Sequence, residues 1–156
     1  MPIRKLVEFL DRNRVKYSKI EHSDAVTAQE VAEAARIPGK ELAKVVMVLL
    51  DDKLSMAVLP ASYHVDLARL RELSNSYKAA LASEAEFKQA FPECEVGAMP
   101  PFGNLWDIPV YVASCLGEDE MISFNAGTHR QLVQLSYDDF ERLVKPQVLD
   151  FTTVLA

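Results

Sequence analysis

Three places along this chain carry residue types that chemistry would explain economically. Lys44 opens the most apolar stretch, with Ala43 before it and Val45-Val46-Met47-Val48 after it. Taking an ammonium out of water is costly, so a lysine in such a run is seldom buried without a partner. Either it sits at the exposed start of a strand with its stem snorkelling to water, or it points into a pocket as a cation for a phosphate, ribose or carbonyl oxygen. The second place is Gly97-Ala98-Met99-Pro100-Pro101-Phe102-Gly103. Adjacent prolines stiffen the backbone, and the glycines reach conformations closed to other residues. The segment is either a rigid surface connection or a scaffold presenting the Gly97, Ala98 and Met99 amides to a carbonyl or oxyanion. The third is Phe124-Asn125-Ala126-Gly127-Thr128-His129, a polar cluster beside a glycine at a strand end, where binding residues concentrate. His129 is either a base or an ordinary hydrogen-bonded histidine. His22, just after a short predicted strand, could border the same pocket, and His64 is a weaker candidate.

The elements that must position these groups are legible from periodicity and caps. Ile3, Leu6, Val7 and Leu10 have amphipathic helical spacing, with Pro2 in the first turn and Asn13 near the end. Residues 15–20 read as a short strand. Thr27 and Glu30 form a capping box that opens a second helix, which runs to Ala34 or Ala35 and is stopped by Pro38-Gly39. Residues 43–50 read as a central strand, Asp51-Asp52-Lys53 as a turn, and residues 54–59 as the returning arm of a hairpin. A short helix over 66–73 turns Leu67 and Leu70 inward. Ser83 and Glu86 form another capping box for a helix that ends before Pro92. After the 97–103 loop come short strands at 109–113, 121–125 and 132–135, and Ser136 caps a final helix over 137–144. The irregular mixture lacks the βαβ alternation of a doubly wound sheet. It predicts an α+β fold: one mixed, mainly antiparallel sheet surrounded by helices.

Size and composition bound the functions. The 156 residues suit a single domain over 1–156, with 49% hydrophobic and 26% charged residues. The N-terminus lacks a signal-peptide core and no apolar run approaches the roughly 20 residues of a membrane span, so a cytoplasmic protein is expected. Cys94 and Cys115 form no ligand cluster and read as small buried hydrophobes, leaving no metal and no cofactor expected. Walker, G-x-G-x-x-G, G-x-S-x-G and H-E-x-x-H motifs are all missing. An enzyme built from these parts positions water or substrate rather than attacking covalently. The net charge of −6 argues against broad nucleic-acid binding, yet it is unevenly spread. Residues 1–19 hold six cations against two carboxylates, a net of +4, which leaves −10 for the remainder. This is either a solvated helix face or a local basic face on an acidic body.

In order and spacing these elements resemble the YbaK/EbsC family, whose domain is also the editing insertion of bacterial prolyl-tRNA synthetases. The resemblance rests on His22 with Thr27-Ala28-Gln29-Glu30, on Ala43-Lys44, Leu59-Pro60-Ala61 and Leu81-Ala82-Ser83-Glu84, on the G-x-x-x-P loop from Gly97 to Pro101 followed by Phe102-Gly103, and on Asn125-Ala126-Gly127. It implies a trans-acting deacylase that hydrolyses the ester between an amino acid and the terminal ribose of mischarged tRNA. Alanine or cysteine on tRNA for proline is the family's best-known target. A synthetase or an elongation factor is a further expected partner. Carried over residue by residue, the family's loop and strand lysine are Gly97, Pro101 and Lys44. Asn125, Gly127, Thr128 and His129 would line the pocket by position. Two departures leave specificity open: Val45 stands where many relatives have threonine, and Thr128-His129 stands where lysine or arginine is common. The alternative is a non-catalytic module of the same fold that binds tRNA ends, nucleotides or a synthetase.

Overall fold

The computed structural model describes residues 3–21 and 41–154. His22 and the predicted helix begun by Thr27 and Glu30 lie outside them. The apolar run containing Lys44 forms β2 (Ala43–Leu50), which pairs antiparallel with β3 (Lys53–Pro60) in unbroken register from Ala43↔Pro60 to Leu50↔Lys53. Asp51 and Asp52 turn the hairpin with φ of 52° and 64°, the twist that a two-residue type I′ turn requires. Asp51 also accepts the Tyr77 and Lys78 N–H groups on its carboxylate, at 2.8 and 2.9 Å.

This hairpin is the middle of a five-stranded sheet. β5 (Ala79–Leu81) flanks β2, while β6 (Val110–Ala113) and β9 (Gln147–Leu149) continue from β3, both in parallel. A separate antiparallel sheet has the order β1 (Ser18–Glu21), β8 (Gln131–Ser136), β7 (Met121–Asn125). A third ladder joins β4 (Tyr63–Val65) to β10 (Thr152–Val154). The fold is α+β, as expected, but its strands are distributed over three ladders rather than one. Local patterning marks where strands occur. It does not mark which distant strand each one joins.

The helices follow their caps. α1 (Arg4–Arg12) buries Leu6 and Leu10. It ends in a Schellman motif: Arg14 is left-handed at φ 55°, and the Arg14 and Val15 N–H groups donate back to Asp11 and Leu10. Val15 is therefore the buried stop of a helix, which is why β1 begins at Ser18 rather than at residue 15. Asp66 caps α2 (Leu67–Leu73), of which Leu70 is buried and Leu67 half-buried. The Ser83–Glu86 box caps α3 (Glu84–Phe87) in both directions. Ser136 caps α4 (Tyr137–Val144), which buries Tyr137, Phe140 and Val144.

The main core lies between α1, α4 and both larger sheets, and includes Leu6, Leu10, Met47, Val58, Phe124 and Phe140. Phe102 lies among Phe9, Phe124 and Phe140, with ring centroids at 6.0, 5.5 and 5.8 Å. A smaller cluster, with Val48, Leu59, Leu70 and Phe151, covers the other face of the five-stranded sheet. Burying one phenylalanine contributes about 1.5–3 kcal/mol. Phe102 therefore pins the proline-rich segment, in which residues 98 to 103 are all buried. A simple surface connection would not be so anchored. Both cysteines are half-buried and free, and burial raises both thiols, that of Cys94 to about 12. They fill space as weak acids.

Candidate active site

The G-x-x-x-P loop and the end of β7 lie 24 or more residues apart in sequence, and the backbone joins the two regions directly. The Glu95 N–H donates to Gly127 O at 2.8 Å, and the Gly127 N–H donates to Ala98 O at 2.9 Å. The Glu95 carboxylate accepts the His129 N–H at 2.8 Å. The His129 ring closes the joint, with Nε2 at 2.7 Å from Val96 O. A carbonyl oxygen only accepts, so Nε2 carries a proton toward Val96. The two positive-φ glycines meet in this seam, Gly97 at 83° and Gly127 at 96°. A Cβ on Gly97 would lie 3.6 Å from His129 Cε1, in ordinary contact, whereas one on Gly127 would fall 2.2 Å from Ile3 Cγ2. Gly97 is set by its backbone conformation. Gly127 is set by both conformation and space.

One sequence expectation is corrected here. The Ala98 amide is not available to a substrate, because it donates to Glu95 O at 3.0 Å in the turn that shapes the loop. Among the described residues the Gly97 and Met99 amides make no hydrogen bond, and Gly97 is exposed. Ala98 and Met99 are buried core side chains, and Pro100 and Pro101 are buried as well. Any contact this loop makes to a ligand at Ala98 or Met99 therefore comes from main chain.

Lys44 reaches the same region through a junction of the two larger sheets. Leu42 forms a parallel bridge with Ser123 of β7, and the Ser123 N–H donates to Glu41 O at 3.0 Å. That register sets Lys44 level with Asn125. Strand alternation then puts the two on one face, while Ala43 and Phe124 turn to the main core on the other. Lys44 is half-buried, and burial lowers its pKa from the usual lysine value. Among the described residues no carboxylate pairs with it. Val45 packs against the main core, on the face opposite Lys44. Threonine at that position would not share the lysine's face, so Val45 removes no hydroxyl from beside Lys44.

Polar groups at the strand end are left unsatisfied. Among the described residues, Asn125 Oδ1, Thr128 Oγ1, His129 Nδ1 and Gln131 Oε1 are buried without a hydrogen-bond partner. All four fall within seven residues. Orphaned buried groups are rare, and each one costs about 1–3 kcal/mol relative to a satisfied state. Asn125 Oδ1 and Gln131 Oε1 can only accept, so these positions are built to receive donors.

Of the residues singled out by sequence, Gly97, Ala98, Gly127 and His129 touch or bond one another. Asn125 and Thr128 share their strand end, and Lys44 joins through sheet register. His22 lies outside the described residues, although its neighbour Glu21 accepts from Gln131 Nε2 at 3.2 Å. His64 pairs with Thr153 in the β4–β10 ladder and belongs to a different region. Sequence reading missed Glu95 and Gln131. Gln131 is a polar residue at the head of an apolar strand, which is a usable signal. Glu95 carries none, because its partner His129 is 34 residues away. Among the described residues no three His, Cys, Asp or Glu side chains group as a metal site would need, and no helix is long and apolar enough to cross a membrane.

With this geometry in hand, comparison with known proteins identifies the class. The sequence profile of the aminoacyl-tRNA editing domain matches residues 22–143, and the chain belongs to that family. The multifunctional Ser/Thr-tRNA deacylase ProXp-y of Escherichia coli is 34% identical over 98 residues, covering 62% of this chain and 58% of that protein. The chain thus spans little more than half the length of this curated relative. The crystal structure of a hypothetical protein superposes with a TM-score of 0.86 at 19% identity, covering 96% of this chain and 100% of that one. A protein described as a candidate trans-editing enzyme for prolyl tRNA synthetase superposes at 0.81 with 20% identity, covering 96% of each chain. These likenesses show a shared fold.

Proposed function

We propose that this chain is a trans-acting aminoacyl-tRNA deacylase that hydrolyses the ester linking a small amino acid to the terminal ribose of a mischarged tRNA. One observation carries the reading: a half-buried lysine, with no carboxylate partner among the described residues, shares a sheet face with the unsatisfied Asn125, whose strand end is joined by backbone to a loop with Gly97 exposed. An aminoacyl-adenosine end supplies what each part lacks. Its phosphate and ribose oxygens suit the Lys44 ammonium. Its carbonyl oxygen suits the Gly97 and Met99 amides, which would stabilise the oxyanion as water adds. Its ammonium and hydroxyls are donors for Asn125, Thr128, His129 and Gln131. Collapse of the intermediate breaks the ester C–O bond, the ribose oxygen leaves as a hydroxyl, and the amino acid departs as a carboxylate.

An acceptor-rich lining favours amino acids whose side chain donates. That agrees with the Ser/Thr-tRNA deacylase activity of ProXp-y and sets serine and threonine beside alanine and cysteine as substrates. The test is deacylation of tRNAs charged with Ala, Ser, Cys, Thr and Pro by purified protein. At least one small-residue tRNA should be hydrolysed. Lys44→Ala should lower kcat/KM about 10²-fold, in line with removal of one group that stabilises developing charge, and His129→Ala less. Full activity in Lys44→Ala with none in His129→Ala would reverse the roles. Binding of tRNA without turnover of any substrate would establish the non-catalytic module instead.

A further inference from the structure

We propose that the helix–strand unit formed by α1 and β1 is the docking surface for the phosphate backbone of the RNA stem behind the aminoacyl end, through Arg12, Arg14, Lys16 and Lys19. This rests on the deacylase reading for the identity of the RNA and goes beyond it in assigning where the stem lies. Both ends of the unit are fastened to the candidate site. The Ile3 N–H donates to Ala126 O at 2.9 Å, and the Ile3 side chain fills the space beside Gly127. β1 returns to the same place, with Glu21 opposite Gln131. Between those anchors the chain runs out and back. At about 1.5 Å per residue, the nine residues of α1 carry it about 13 Å from the seam. Arg12, Arg14 and Lys16 cluster at that far turn. Lys19 lies on the way back, opposite Val133, on the sheet face that α1 covers.

About 13 Å corresponds to about four nucleotides at a strand rise of about 3.4 Å. The cations therefore begin where a short unpaired end would give way to a stem. Their charge is uncommitted. Glu8 is held by Arg4 at 2.8 Å, and Asp11 accepts the Tyr17 hydroxyl at 3.0 Å. Among the described residues no carboxylate pairs with Arg12, Arg14, Lys16 or Lys19, and all four are exposed. Lys5 is occupied differently, 5.3 Å over the Trp106 ring. The first 19 residues carry +4 while the rest carries −10. A polyanion drawn to the site is repelled by most of the surface and attracted by this strip.

The experiment measures binding of uncharged full-length tRNA against salt, together with hydrolysis of a charged tRNA and of the matching aminoacyl-CCA trinucleotide, which has no stem. The strip variant is Arg12→Gln, Arg14→Gln, Lys16→Gln and Lys19→Gln combined. A control removes equal charge elsewhere: Lys53→Gln, Lys78→Gln, Lys88→Gln and Lys145→Gln, all exposed positions. Each lost phosphate contact flattens the log–log salt slope by about 0.7–0.9, so the strip variant should lose about three units of slope. Between about 50 and about 200 mM salt, its binding should then weaken about 60-fold less than that of the native chain. Its kcat/KM on whole tRNA should fall at least tenfold in low salt, with trinucleotide hydrolysis within about twofold of native. Equal losses in strip and control variants, an unchanged slope, or equal losses on both substrates would overturn the assignment. If the native chain hydrolyses neither substrate, the deacylase reading falls, and the tRNA salt slope still decides the surface by itself.

Discussion

The β2–β3 hairpin and the seam between residues 95–98 and 125–131 are built on opposite terms. In the hairpin the strands pair in continuous register and β3 is buried from Ser55 to Pro60. In the seam two backbone bonds, the Glu95 carboxylate and the His129 ring tie together loops that carry two left-handed glycines and four polar atoms unsatisfied among the described residues. The contrast teaches where stability resides and where it is given up. Hydrophobic burial and satisfied ladders hold the hairpin. The seam keeps a costly arrangement of acceptors that the surrounding fold holds in place and a ligand would complete.

The largest blow to this contrast is predicted at Gly127. Alanine there meets Ile3 at an impossible distance and a disfavoured φ. Gly127→Ala should destabilise by about 3 kcal/mol, overpacking and backbone strain together, measured by urea unfolding. A loss below 1 kcal/mol would mean that the seam yields easily. Gly97→Ala brings strain without collision. It should cost about 1–2 kcal/mol of stability yet depress deacylation far more, about 10²-fold, because the exposed amide moves. Proportionate losses would make this glycine structural only. Glu95→Ala removes the carboxylate that accepts the His129 N–H. A drop of about 1 kcal/mol in urea is expected, with a several-fold loss of kcat/KM, and an unchanged kcat/KM would show that the clip is dispensable.

The smallest effect is the most diagnostic. Burial disfavours the charged form of Lys44, so its folded pKa lies below the unfolded lysine value of 10.5. Between those two values the unfolded chain binds more protons, and native stability rises with pH. Lys44→Met should therefore be no less stable than the native chain at pH 7. Its advantage should shrink as pH climbs toward 10.5, in urea titrations at several pH values. A substantial loss at pH 7 would show that the ammonium holds the fold together rather than waiting for a ligand.

The family, the hairpin, the Ser83 and Ser136 caps and the final helix were legible from residue order, because each rests on local physics: apolar period, capping oxygens and turn residues. Lys44, Gly97, Asn125 and Gly127 stood out for the same reason, being residues at odds with their surroundings. The three ladders, the parallel placement of β6 and β9, and the Leu42–Ser123 bridge were not legible. Each depends on strands far apart in sequence, and alternation shows which face a strand buries without naming its partner.

By itself the sequence determined the α+β class, the family and the candidates at the site, through periodicity, caps and a lysine out of place. Tertiary structure alone decided that Ala98 spends its amide inside the loop, that Val45 turns away from Lys44, and that Glu95 clamps His129 across 34 residues. It also decided that the basic N-terminal unit begins and ends at the site. The reason is that hydrogen bonds and burial are satisfied in three dimensions, so the partner of a backbone amide or a carboxylate is set by the folded chain and not by its neighbours in sequence.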